Sequence, residues 1–372
     1  MKGFFVYNSL LIGLMIFSMT FGAGNLIYPL AAGYQAGNMV GWCALGFFVS
    51  SIFLPWLGLC AVMVYQGDYR RLLYENLPQT ALAEGLIFCS MLLLGPLGCI
   101  PRCALTAYAG VASFFPQLSA LLWNAGFLGA CYFLACKKDN LITVLGRLVS
   151  PITIFCLICM ILLGIWGPKT LTTLAPKQSV SSSVMGGFYQ GCFTFDFLAM
   201  VFYSRVIYQV ALELLSHKVQ NSSELPRKTF IFLLSSAAIA AVFFSLVYGG
   251  MMLAAAYNSG AVTVTSQEQL IAAFAAVLLG EKFAFLYTII VTLACFATSF
   301  ALLVVFADYV NMVSDGKIAY KQALVLSTLV AFGLANLNFG QITQLMGPLM
   351  IFIYPILIPM VLWVLAKKMA GR

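Results

Sequence analysis

Long apolar runs alternate with short polar connectors from one end of the chain to the other. Each run is long enough to cross ~30 Å of bilayer hydrocarbon at ~1.5 Å of rise per helical residue. The pattern predicts ten membrane-spanning helices, over 8–34, 39–65, 82–111, 117–135, 142–166, 186–211, 229–257, 283–310, 321–336 and 343–366. The stretch Ser266–Leu279 is only mildly apolar and follows polar residues, so a short helix lying on the membrane or tucked into a vestibule is expected there. The first run follows Lys2 and continues unbroken from Tyr7 to Tyr34. It lacks a small-residue cleavage site followed by a polar mature chain, so a retained helix is expected rather than a signal peptide.

Composition removes the soluble alternatives. Charged residues make up 8% of the 372 positions and hydrophobic ones 62%, whereas soluble domains carry about 25% charged residues. A soluble core of this size needs a polar shell, and the residues to build one are absent. The single histidine, His217, excludes a histidine-based metal site or catalytic triad, and the eleven cysteines lie mostly inside apolar runs. A membrane-embedded enzyme would need clustered His, Asp or Cys at one membrane face, so the chain is not read as an enzyme.

Charge fixes the expected orientation. With the N-terminus in the cytosol, fourteen basic residues face inward, among them Lys2, Arg70, Arg71, Lys317, Lys367 and Lys368. Only Lys169, Lys177 and Lys282 then lie outside, while Arg102 and Arg205 fall within spans. The positive-inside rule therefore places both termini in the cytosol of a multi-pass protein of the cell inner (cytoplasmic) membrane. The net charge of +8 reflects this topology and anionic lipid, so the lipid bilayer is an expected partner and nucleic acid is not. The sequence carries no signal for an oligomeric state.

The informative places are interruptions of the apolar pattern. The first span contains Phe21-Gly22-Ala23-Gly24-Asn25 followed by Pro29, and the sixth contains Gly186-Gly187 and then Gly191-Cys192-Phe193-Thr194-Phe195-Asp196. Glycines beside a buried polar residue can unwind a helix, and freed backbone groups are tolerated in lipid only where protein, water or ligand satisfies them. On a straight-helix count both interruptions lie ~15–22 Å from the face at which their span enters. They open two halves, 1–167 and 168–372, each of five spans and therefore of opposite orientation. Paired interruptions in inverted halves point to the binding site of a secondary transporter. A channel would not explain them.

These residues also carry a family resemblance. Phe21-Gly22-Ala23-Gly24-Asn25-Leu26-Ile27-Tyr28-Pro29 resembles the first-helix signature of the branched-chain amino acid:cation symporters (the LIVCS family). Gly95-Pro96-Leu97-Gly98-Cys99-Ile100-Pro101-Arg102, the stretch from Gly187 to Ala199, Asn336 to Gly340 and Tyr354-Pro355 are similar to further motifs of that family. The resemblance implies an all-α, LeuT-like fold built as a 5+5 inverted repeat with helices one and six discontinuous. It also implies an amino acid as substrate, sodium as coupling ion and no other cofactor. Family members continue for two further helices after the ten that form the core.

Candidate residues follow. Backbone amides at Ala23 and Gly24, the N-terminus of a half-helix, suit a substrate carboxylate, with Asn25 beside them. Carbonyls around Phe188–Phe193, including Gly191, would accept from an ammonium group, and Phe193 and Phe195 would wall an aliphatic side chain. Thr298 and Ser299 in the eighth span offer adjacent hard oxygens for an alkali cation. In the LeuT-like fold that sodium site is completed by first-helix carbonyls, which map onto Ser18 and Phe21. Asp196 is costly in a membrane core. It would ligate a second cation with Asn25 and Thr194, attract the ammonium, or carry a proton. The sequence does not rank these, and proton-coupled transport of an aromatic amino acid or methionine is the competing reading. Arg102 counts out to the outer vestibule, as part of a gate or snorkelling to headgroups.

Overall fold

The computed structural model describes residues 2–137, 145, 147, 149–166, 179–216, 224–262, 270, 273, 274, 277, 281–337 and 339–370. Among these, the regular elements are all helices: α1 (Lys2–Thr20), α2 (Ala23–Ala36), α3 (Val40–Phe48), α4 (Leu54–Val64), α5 (Tyr69–Asn76), α6 (Thr80–Leu94), α7 (Cys99–Ala112), α8 (Ala120–Ala135), α9 (Ser150–Trp166), α10 (Val180–Cys192), α11 (Asp196–Ser216), α12 (Leu225–Tyr257), α13 (Glu281–Val313), α14 (Tyr320–Leu334) and α15 (Phe339–Met369). Seven helical segments are long and apolar enough to cross a membrane, and α8, α9 and α14 are shorter apolar helices. Large apolar side chains stand exposed on the outer helices, such as Phe133 on α8, Phe155 and Trp166 on α9 and Trp363 on α15. Such a surface suits lipid and would be a liability in water. The chain is a polytopic α-helical membrane protein.

Most expected spans coincide with helices to within a few residues, and the two expected interruptions are present. The third span differs. Expected as one helix over 82–111, it is broken at Gly95–Gly98 into α6 and α7. Two glycines and Pro96, which lacks an N–H, weaken the ladder there, and irregular bonds such as Leu97 N–H to Leu92 O (3.1 Å) replace it. The expected helix over Ser266–Leu279, the start of the fifth span, the junction of the two halves, His217, and the lysines at 138, 169, 177 and 218 lie largely or wholly outside the described residues.

Close helix contacts are made where glycine removes the side chain. Helix α10 packs along α3, and a Cβ on Gly187 would meet the Cys43 carbonyl oxygen at 1.9 Å, while one on Gly191 would meet Ser50 Oγ at 2.1 Å. Gly187 and Gly191 are four apart on one face of α10, the spacing by which small residues let membrane helices approach closely. Between α3 and α4 the chain makes a π-helical turn, Val49–Phe53. Pro55 has no N–H for the Ser51 carbonyl, which accounts for the local widening.

Candidate functional site

The first interruption is held by its own residues. Helix α1 ends at Thr20 and α2 starts at Ala23. The Gly22 N–H donates to Asn25 Oδ1 (2.9 Å), so the asparagine side chain caps the new helix. The amides of Ala23 and Gly24 belong to the first turn of α2, where a helix has no internal acceptor to offer. Gly22 allows α13 to approach, because a Cβ there would lie 2.9 Å from Thr298 Cγ2.

The second interruption is shorter than the glycine pattern suggests. Helix α10 continues through Cys192, and only Phe193–Phe195 leave it before α11 begins at Asp196. The N–H groups of Phe193, Thr194 and Phe195 turn back to the carbonyls of Gln190, Gly191 and Cys192. The Cys192 carbonyl also accepts from the Tyr354 hydroxyl (3.0 Å). The expected ammonium-accepting carbonyls upstream of the break are thus largely engaged. Phe195 sits at φ 62°, a left-handed conformation uncommon for a bulky residue and concentrated at functional sites.

Asp196 ties three helices together. Its Oδ1 accepts from Asn25 Nδ2 (2.6 Å) and its Oδ2 from the Tyr248 hydroxyl (2.7 Å). Asn25 Nδ2 also lies 2.5 Å from the Tyr248 oxygen, and Asp196 N–H approaches Thr194 Oγ1 (3.4 Å). Tyr248, on α12, is fully buried. With the Asn25 oxygen bonded to Gly22 and its nitrogen aimed at Asp196, the residues expected to gather around a second cation bond to one another instead.

One cavity lies between the interruptions, lined by Gly22, Ala23, Gly24 and Asn25 of the first, by Thr194 and Phe195 of the second, and by Cys99, Arg102, Tyr203 and Thr298. It holds about 20 Å³ open to water centres, room for about one water, so a larger solute can enter only as the helices part. Asp196 borders a second, smaller hollow with Thr20, Ser51 and Phe244. Phe193, next to the lining residue Thr194, is stacked on Tyr28 at 5.5 Å between ring centroids and meets Tyr189 edge-on at 4.9 Å. Gly191 faces Ser50 and Phe47, where close packing accounts for it.

Arg102 is placed elsewhere than the straight-helix count puts it. It is 1% exposed, and its guanidinium lies 5.4 Å from the Tyr28 ring centroid and 5.7 Å from that of Phe195. The break at Gly95–Gly98 explains the correction. Arg102 is in the first turn of α7, and helical side chains lean toward the N-terminus, which carries the guanidinium back to the break instead of out to a vestibule.

The hydroxyls expected to hold sodium are buried against the first break. Thr298 Oγ1 lies 3.4 Å from the Ser18 carbonyl oxygen. Ser299 Oγ is fully buried with no hydrogen bond to oxygen or nitrogen among the described residues. Phe21 stacks on Phe17 at 4.8 Å beside them. Hydroxyl and carbonyl oxygens are the donors that hard cations take, and of the expected four the Thr298 hydroxyl and the Ser18 carbonyl are brought together. Tyr248 and the third break had no place among the expected residues. A lone tyrosine in an apolar helix carries no distinguishing signal, whereas Gly95-Pro96-Leu97-Gly98 has the same punctuation as the first break.

Interrupted helices meeting at an enclosed, partly polar cavity in an apolar bundle define a membrane transporter. In a whole-chain comparison the fold matches that of a nucleobase-cation-symport-1 family transporter in a closed conformation with bromovinylhydantoin bound, at a TM-score of 0.63 and 15% identity over 95% of this chain and 77% of that one. Residues 6–372 match the family described as branched-chain amino acid transport protein, and the chain belongs to that family. Its relatives include the branched-chain amino acid permease BraB of Bacillus subtilis, 27% identical over 95% of this chain and 78% of that protein. The branched-chain amino acid transport system 2 carrier protein of Pseudomonas aeruginosa is 26% identical over 99% of this chain and 84% of its own length. These are carriers, not enzymes.

Proposed function

We propose that this protein is a secondary active symporter that imports branched-chain (Leu, Ile, Val) amino acids across the cytoplasmic membrane, coupled to sodium, by alternating access. In this reading ten spans form two inverted halves of five, with α1/α2 and α10/α11 as their discontinuous first helices. The observation that carries it is a cavity bordered by both breaks, with Thr298 of α13 against the Ser18 carbonyl. The amides of Ala23 and Gly24 present the positive end of α2 to an anionic group, and Phe193 and Phe195 offer apolar walls. One methylene in an apolar pocket is worth only ~1–3 kcal/mol, so selectivity among aliphatic amino acids is loose. Cytosolic termini agree with contacts that gather basic loops on one face: Arg70 and Asp315 border the same hollow, and Tyr320, next to Lys321, bonds the Ala135 carbonyl near Lys137.

Competition by each of the twenty amino acids against labelled leucine uptake in proteoliposomes tests the substrate. Isoleucine and valine should compete within about tenfold of leucine, given that small methylene penalty; a profile led by aromatic amino acids or methionine would contradict it. The buried Asp196–Tyr248–Asn25 network favours one second reading, in which Asp196 carries a coupling proton in place of sodium.

A further inference from the structure

We propose that Arg102 is the anchor for the substrate's α-carboxylate, an inference that rests on the amino-acid reading above and adds to it the residue that selects the class. Arg102 lines the cavity shared by the two breaks. It is enclosed by protein, and its Nη2 lies 3.2 Å from where a Cβ on Gly24 would stand. A side chain at that position would crowd the Phe193 carbonyl oxygen (3.1 Å) as well as the guanidinium, which reaches the first turn of α2. The ring of Tyr28, on α2, and that of Phe195, at the second break, both lie within reach of its π-facing side. Aromatic rings hold a guanidinium by cation–π attraction and leave its in-plane N–H donors directed elsewhere.

The surrounding backbone has the same sign. The N-terminus of α2, at Ala23 and Gly24, and that of α7, at Cys99, border the cavity together with Arg102. Two partial positive charges and one full one converge there, and each favours an anion. Asp196, the other buried charge among the described residues, engages Asn25 and Tyr248 and does not border this cavity. A carboxylate matches the guanidinium fork with two parallel charge-assisted hydrogen bonds, which neither an amide nor an alcohol reproduces.

The test measures displacement of labelled leucine from purified protein by leucine, leucinamide and 4-methylpentanoate, for the unaltered protein, Arg102→Gln and Arg102→Lys. Thermal unfolding of each variant is followed in parallel. Leucine should displace about 100-fold more strongly than leucinamide from the unaltered protein, because a site built for a polar group rejects the analogue lacking it. 4-Methylpentanoate should retain measurable displacement, since it keeps the carboxylate. In folded R102Q the ratio of leucine to leucinamide should collapse to within about threefold of unity, and in R102K it should fall about tenfold, as a point charge replaces the fork. An unchanged ratio in either folded variant overturns the assignment. Equal displacement by leucine and leucinamide in the unaltered protein overturns it as well, even if both variants fail to fold. Binding of no amino acid at all overturns the functional reading and the anchor together.

Discussion

The two buried charges among the described residues, Asp196 and Arg102, are treated in opposite ways. Asp196 has both carboxylate oxygens taken by side chains from other helices, Asn25 of α2 and Tyr248 of α12, and is not among the residues that line the cavity between the breaks. Arg102 is equally enclosed, with Nη1 directed at Met346 Sδ (3.7 Å) and its guanidinium beside the rings of Tyr28 and Phe195 at the cavity's edge. A buried charge is costly unless paired and hydrogen-bonded. The first arrangement suits a group that links the moving parts, because its hydrogen bonds join α2, α11 and α12. The second suits a group that meets whatever enters. On the proposed function, the first charge joins the helices that move and the second meets the substrate.

The largest effect expected from breaking that division is at Asp196. Asp196→Asn should abolish concentrative leucine uptake while leaving leucine binding within about tenfold, which corresponds to ~1.4 kcal/mol. Uptake against a gradient at the original level would remove Asp196 from coupling. Next comes the pair of hydroxyls on α13. Thr298→Ala with Ser299→Ala should raise the sodium concentration for half-maximal uptake about tenfold and move leucine affinity at saturating sodium far less. An equal shift in both would show that the pair supports the bundle instead of an ion.

Smaller effects sharpen the picture. Tyr248→Phe removes a hydrogen bond to the carboxylate, and the loss should lower stability by about 1–2 kcal/mol and slow uptake several-fold with apparent sodium affinity little changed. Calorimetry and initial rates check the two parts separately. Gly191→Ala should act on folding alone: a Cβ would stand 2.1 Å from Ser50 Oγ, and overpacking of that kind costs about 1–3 kcal/mol. Uptake per folded molecule should be unchanged, and a selective loss of transport would return Gly191 to the substrate site.

Much of this was legible in the sequence. Gly22-Ala23-Gly24-Asn25 and Phe193-Thr194-Phe195-Asp196 interrupt apolar runs with residues that either cannot hold a helix or cannot be left unpaired in lipid, so their importance shows without coordinates. Apolar length alone located most helices. Depth was harder to read. Counting along Thr80–Ala112 as one straight rod misplaced Arg102, because the turn at Gly95–Gly98 and the backward lean of helical side chains both act on where a guanidinium ends up. Tyr248 was hidden for a different reason. Seventeen tyrosines are spread along an apolar chain, and only three-dimensional contact separates the one that bonds Asp196. Gly191 shows the converse: it sits in a run that signals a break, yet its job is to let α10 approach α3.

On the proposed function, sodium held where α13 meets the first break drives an amino acid through the cavity between the interrupted helices. Labelled leucine uptake into proteoliposomes at fixed pH, with an inward sodium gradient and then with sodium replaced by choline, tests it most directly. Accumulation should rise above equilibrium with sodium and fall to passive equilibration in choline. Accumulation undiminished in choline would contradict the account and pass the coupling role to a proton on Asp196.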